Sequence, residues 1–95
     1  MKTGAQLIEE ERQRQISQEG WTPEHDDTHT QGEIAAAAFA YLGFLGRLKW
    51  ASLLEWPWGK DSFKPDADDP VRTLVKAGAL IAAEIDRLQR QKGAK

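Results

Sequence analysis

The sequence predicts an all-α fold, a compact bundle of three main helices with an aromatic, proline-rich "WPW" loop before the last. Three observations carry this. Val71, Leu74, Val75, Gly78, Ile81, Ala82, Ile85 and Leu88 recur at the clearest helical period in the chain. Ala35, Ala36, Ala37, Ala38 and Ala40 crowd an apolar run from Ile34 to Gly46. No stretch alternates with the two-residue period of a strand, and no internal repeat is visible.

The first helix is expected from Gly4 to Gln18, with Thr3 as N-cap and Gln6 three residues on, a capping-box pattern. Ile8, Arg12 and Ile16 fall on one stripe, with Gln15 beside them, so Arg12 points inward with the isoleucines. A buried guanidinium needs a carboxylate or an anionic ligand. Glu33 and Glu84 are the candidate acids, and a bound anion is the favoured match. Gly20 ends this helix, Pro23 prevents its resumption, and "EGWTPEHDDTHT" reads as a loop. Thr30 and Glu33 form a second capping box that opens the alanine-rich helix at Gln31. Gly43 and Gly46 end or kink that helix, leaving a short piece over Leu48 to Glu55. Pro57, Pro65 and Pro70 keep the "WPW" segment irregular, and Asp69 followed by Pro70 starts the last helix, which runs to about Arg90. Gly78, Ala79 and Ala82 allow it to approach the alanine-rich helix closely, and the tail "QKGAK" is expected to fray.

Ninety-five residues with 40% apolar and 29% charged side chains make one small globular domain. A formal net charge of −2 is not the basic excess of a protein that binds a DNA or RNA duplex. The apolar run is too short for the roughly 20 residues of a membrane span, and the polar first eighteen residues do not read as a secretory signal. The absence of cysteine excludes disulfides and thiolate zinc sites and fits a reducing cytoplasm. Because the first helix is so polar, a homo-oligomer is expected to complete burial through the alanine-rich and last helices.

Three constellations can carry chemistry. Glu24, His25, Asp26, Asp27, His29 and Glu33 crowd one short stretch. Asp26, Asp27 and Glu33 are candidate magnesium ligands, with His25 or His29 handling a proton. The alternative is a solvated turn whose acids favour the positive end of the next helix. Arg12, Arg72 and Lys76 could together hold a phosphate, or each could be a structural pair or solvated flank. Trp21, Trp56 and Trp58, with Lys60 and Lys64 nearby, could stack a nucleobase and meet its phosphates, or could close the end of the core.

The blocks "ERQRQISQEGWTPEHDDTHTQGEIAAAAFAY", "WPW", "FKP" and "RTLVKAGALIAAEIDRL" resemble a widespread class of small phage and prophage proteins, mostly without assigned function. The resemblance covers nearly the whole chain apart from residues 43–55 and the two ends. It implies a phage accessory protein in the host cytoplasm. A fainter similarity runs to MazG-like all-α nucleoside triphosphate pyrophosphohydrolases, some of which open with an E-R-x-R-Q helix, matched here by Glu11, Arg12, Arg14 and Gln15. That similarity implies a nucleotide-shaped pocket lined by Arg12, Gln15, Trp21, Trp56, Trp58, Lys64, Arg72 and Lys76, and conditionally a magnesium-dependent hydrolysis. The chain departs from those enzymes at Ala36, which replaces the second acid of E-x-x-E, and at Glu84 and Asp86, which do not share a face. Two functions follow: a binder of a nucleotide or nucleotide-derived anion, by sequestration or slow hydrolysis, or a protein-interaction module that inhibits a host defence or replication factor.

Overall fold

In the computed structural model, which describes residues 1–46 and 49–93, the chain forms five α-helices and one 3-10 turn. These are α1 (Gly4–Gln18), α2 (Pro23–Asp26), α3 (Glu33–Leu45), α4 (Lys49–Glu55), the turn Lys60–Ser62, and α5 (Pro70–Gly93). No strand occurs among the described residues, and the all-α expectation holds.

α1 has the expected bounds and cap: Gln6 N–H donates to Thr3 Oγ1 at 3.1 Å, and Thr3 N–H donates to Gln6 Oε1 at 2.8 Å. Gly20 follows at a φ of 75°, which turns the chain away. The segment beyond is not all loop. Thr22 caps a single helical turn with Pro23 in its first position, where a missing N–H costs nothing. The second capping box also fails. Gly32 takes a φ of 82° and becomes the N-cap, so α3 opens at Glu33, and Glu33 Oε1 instead accepts the Gln31 N–H at 2.6 Å. α3 ends at Leu45 before Gly46, and a short helix then runs to Glu55 as expected; Leu48 lies outside the described residues. Asp69 Oδ1 accepts the Arg72 N–H at 3.0 Å, the predicted cap of α5. That helix reaches Gly93 rather than stopping near Arg90, and Ala94 and Lys95 lie outside the described residues.

The core joins α3 to α5: Ile34, Ala37, Ala38, Ala40 and Tyr41 meet Ala77, Leu80 and Ala83, and Trp56 closes the end. Inside the chain α5 buries Thr73, Val75, Ala77, Ala79, Leu80, Ala83 and Arg87, so of the residues marked by the apolar period only Val75 is buried. Val71, Leu74, Ile81, Ile85 and Leu88 are exposed. Gly78 faces α1 rather than the alanine-rich helix, since a Cβ there would lie 2.6 Å from Ile8 Cδ1. Small residues do let α3 and α5 approach, but they are Ala77 and Ala83 on α5.

α1 docks largely through polar side chains. Glu11, Arg12 and Gln15 are buried, while Ile8 and Ile16 are only half-buried. The buried Glu11 carboxylate accepts from Arg14 and from Gln15 and lies 2.7 Å from Arg72 Nη1, which ties α1 to the start of α5. Burial alone would raise the Glu11 pKa, but hydrogen bonds from Arg14 and Arg72 outweigh it and hold the carboxyl below its ordinary range.

Candidate functional site

α1, α2 and the "WPW" loop enclose a cavity of about 220 Å³ against α3 and α5. Its aromatic wall is built from Trp21, His25, His29 and Trp58; Ile34, Leu80 and Ala83 supply aliphatic surface, and Arg12, Asp26 and Ser62 supply polar groups. The wall is held from both sides. Trp21 N–H donates to Gln15 O at 3.0 Å, and Arg12 Nη1 donates to Trp21 O at 3.0 Å, so the loop is fixed to the end of α1. At the far end Arg90 donates to Asp27 at 2.8 Å and to Pro23 O at 3.2 Å, which fastens the α2 turn to α5.

The rings form a chain. His25 and His29 lie 5.1 Å apart and nearly perpendicular, His29 lies 5.0 Å from Trp58, and Trp58 lies 6.1 Å from Trp21. These spacings lie within the range of aromatic contact. Trp56 stands behind, perpendicular to Trp58 at 5.2 Å. It is buried and its indole N–H donates to Gly59 O and Ser62 Oγ, so Trp56 is scaffold while Trp58 faces the cavity.

The match for Arg12 is a protein acid. Arg12 Nη2 donates to Asp26 Oδ2 at 2.6 Å, and both side chains are buried. The favoured expectation of a bound anion, and the candidate acids Glu33 and Glu84, are corrected here: the single turn of α2, which packs on α5, brings Asp26 within reach of Arg12. Burial raises the Asp26 carboxyl above its ordinary range, against the opposing pull of Arg12.

The three proposed magnesium ligands do not converge. Asp26 holds Arg12, Asp27 holds Arg90, and Glu33 turns to the Gln31 N–H and to His29, whose Nδ1 lies 3.5 Å away. Among the described residues no group of three histidine or acidic side chains is placed to hold a metal ion. The residues do not fit magnesium as a set, and no chemistry is routed through it. Nor do Arg12, Arg72 and Lys76 gather. Arg72 lines a separate groove with Leu7, Glu10 and Glu11, while Lys76 donates to Lys64 O at 2.7 Å and shares a small cleft of about 30 Å³ with Gln15, Tyr41 and Lys64. Gln15 Oε1 is buried there without a hydrogen-bond partner among the described residues.

Comparison with protein-family models, with curated proteins and with solved structures gives no match. The site's chemistry must therefore be read from its geometry.

Sequence reasoning found five of the ten wall residues, Arg12, Trp21, His25, His29 and Trp58, as ligand-binding or catalytic candidates, and named Asp26 as a metal ligand. It missed Ser62, Ile34, Leu80 and Ala83, which carry no local signal of a pocket. It also missed the Arg90–Asp27 clasp, whose partners lie 63 residues apart. Each arginine of the described residues holds a carboxylate: Arg12 with Asp26, Arg14 and Arg72 with Glu11, Arg87 with Glu84, and Arg90 with Asp27.

Proposed function

We propose that the chain is a phage or prophage accessory protein that binds a nucleotide or nucleotide-derived small molecule by its base, sequestering it. The supporting observation is the cavity walled by Trp21, Trp58, His25 and His29 over the buried Arg12–Asp26 pair. At about 220 Å³ the cleft suits a single planar ring system, and because it is half-open a sugar and phosphates would extend towards solvent. Stacking on aromatic side chains is worth about 1–3 kcal/mol per base and tolerates any base. Phosphates would lie outside, where the described arginines are already committed to carboxylates. The dispersed acids favour sequestration over magnesium-dependent hydrolysis.

Quenching of tryptophan fluorescence by nucleosides and their mono- and triphosphates tests this. Affinity should follow the base and change little with phosphate number, and Trp58→Ala should abolish it. Affinity that rises steeply with each phosphate, or saturable binding by no nucleoside or nucleotide, would sink the reading. Release of pyrophosphate from a triphosphate with magnesium would restore the hydrolytic version.

A second reading, an interaction module that inhibits a host protein, draws on the exposed apolar side chains Phe39, Leu42, Leu53 and Leu54. Failure of every nucleotide to bind would favour it.

A further inference from the structure

The aromatic rings of the cavity can stack on any flat ring, so selection among bases falls to the polar atoms of its wall. Most of these are spent or tell bases apart poorly. Arg12 gives Nη1 to Trp21 O at 3.0 Å and Nη2 to Asp26 Oδ2 at 2.6 Å. Ser62 Oγ donates to Gly59 O at 2.6 Å and accepts the Trp56 indole N–H at 3.1 Å. The indole N–H groups of Trp21 and Trp58 and the remaining N–H groups of Arg12 only donate, and every nucleobase carries acceptors for them. A neutral histidine ring offers one donor and one acceptor, so His25 and His29 suit either kind of ring edge.

Asp26 is different. It lines the cavity and gives one oxygen, Oδ2, to Arg12. Oδ1 takes no hydrogen bond among the described residues. Nor is it sealed in, because the buried side-chain atom left without a partner among those residues is Gln15 Oε1. An ionised carboxylate oxygen accepts and cannot donate, and a hydrogen bond to a charged group is stronger than a neutral one. We propose that Asp26 Oδ1 selects the ligand by accepting a hydrogen bond from an amino group on the ring, so that the cavity takes adenine, cytosine or guanine in preference to uracil or thymine. In the last two, the one N–H of the pairing edge stands between two carbonyl oxygens, which a carboxylate repels. This selection rests on the base-binding reading and names its class of base. Burial raises the Asp26 carboxyl, and an N–H donated to Oδ1 would favour its charged form.

Tryptophan quenching of the wild-type chain by adenosine, purine riboside, cytidine and uridine tests this. Purine riboside is adenosine without the amino group. Adenosine should bind at least about tenfold more tightly than purine riboside, and cytidine at least about tenfold more tightly than uridine. In Arg12→Met/Asp26→Leu both gaps should close, while stacking still holds all four nucleosides. Should that variant lose its helical spectrum, two further ligands on the wild type replace it. Adenosine methylated once on its amino group, which keeps one N–H, must then bind at least about tenfold more tightly than the dimethylated form, which keeps none. Equal binding of adenosine and purine riboside overturns the inference and leaves the base-binding reading standing. So does uridine that binds as tightly as cytidine, or a gap that persists in the double variant. Binding by none of the four overturns the base-binding reading and the inference with it.

Discussion

Arg12 Nη2 lies 2.6 Å from Asp26 Oδ2, and the two side chains, 7% and 6% exposed, form an ion pair enclosed between α1, α2 and the aromatic cavity. Each group is largely shielded from solvent and depends chiefly on the other for its charge. Arg12→Met should therefore cost on the order of 3–5 kcal/mol, because it strands a buried acid. Arg12→Met/Asp26→Leu should recover most of that loss, since replacing a whole buried pair by apolar groups is often neutral. Denaturant titration of the three variants and wild type gives the cycle. A double variant whose loss equals the sum of the two single losses would mean that the two side chains act independently.

The two tryptophans of "WPW" should separate in their effects. Trp56 is 6% exposed in the core, so Trp56→Ala should cost about 3–5 kcal/mol. Trp58 is half-buried at the cavity, and Trp58→Ala should cost far less stability while removing base binding. Thermal melts and base-induced quenching, run on both variants, would expose a reversed assignment.

Gly78 should respond to its neighbour. An alanine there gains roughly 1 kcal/mol of helix propensity, but its Cβ would lie 2.6 Å from Ile8 Cδ1 and 2.9 Å from Ile8 Cγ1. Overpacking costs about 1–3 kcal/mol, so Gly78→Ala alone should be neutral to destabilising. With Ile8→Ala already in place the same change should stabilise. A Gly78→Ala effect of equal sign and size in both backgrounds would contradict the close approach.

Acid sensitivity should come from two carboxyls of opposite sign. Glu11 has a folded pKa below its ordinary 4.5, so the unfolded chain takes up the proton first as the pH falls. The stability it contributes is present above about 4.5 and is lost as the pH falls through the folded value. Asp26, raised above its ordinary 3.8 chiefly by burial, works the other way. Its contribution is present below that value and is lost as the pH rises through the folded pKa. Melting temperatures across the acid range should show Glu11→Gln flattening the first slope and Asp26→Asn the second. Slopes that neither substitution alters would remove both carboxyls as the source.

The sequence by itself determined the class of fold and most helix boundaries, because caps and breakers act within a few residues. Thr3 with Gln6, Gly20, Gly46 and Asp69 with Pro70 each behave as local chemistry requires. It also singled out Arg12 as buried and brought the two histidines and three of the four tryptophans forward as site candidates. Tertiary structure decided the pairings. Asp26 rather than Glu33 meets Arg12 because the single turn of α2, which packs on α5, brings it within reach, and the start of α3 shifts to Glu33 because Gly32 takes a positive φ. It also decided which face of α5 goes inside. Periodicity locates an apolar stripe but cannot say whether this chain or another covers it, and alanines at 77 and 83 fit α3 more closely than the larger side chains of the stripe. The cavity is the extreme case, since its walls come from five separate stretches that only packing brings within reach of one ligand.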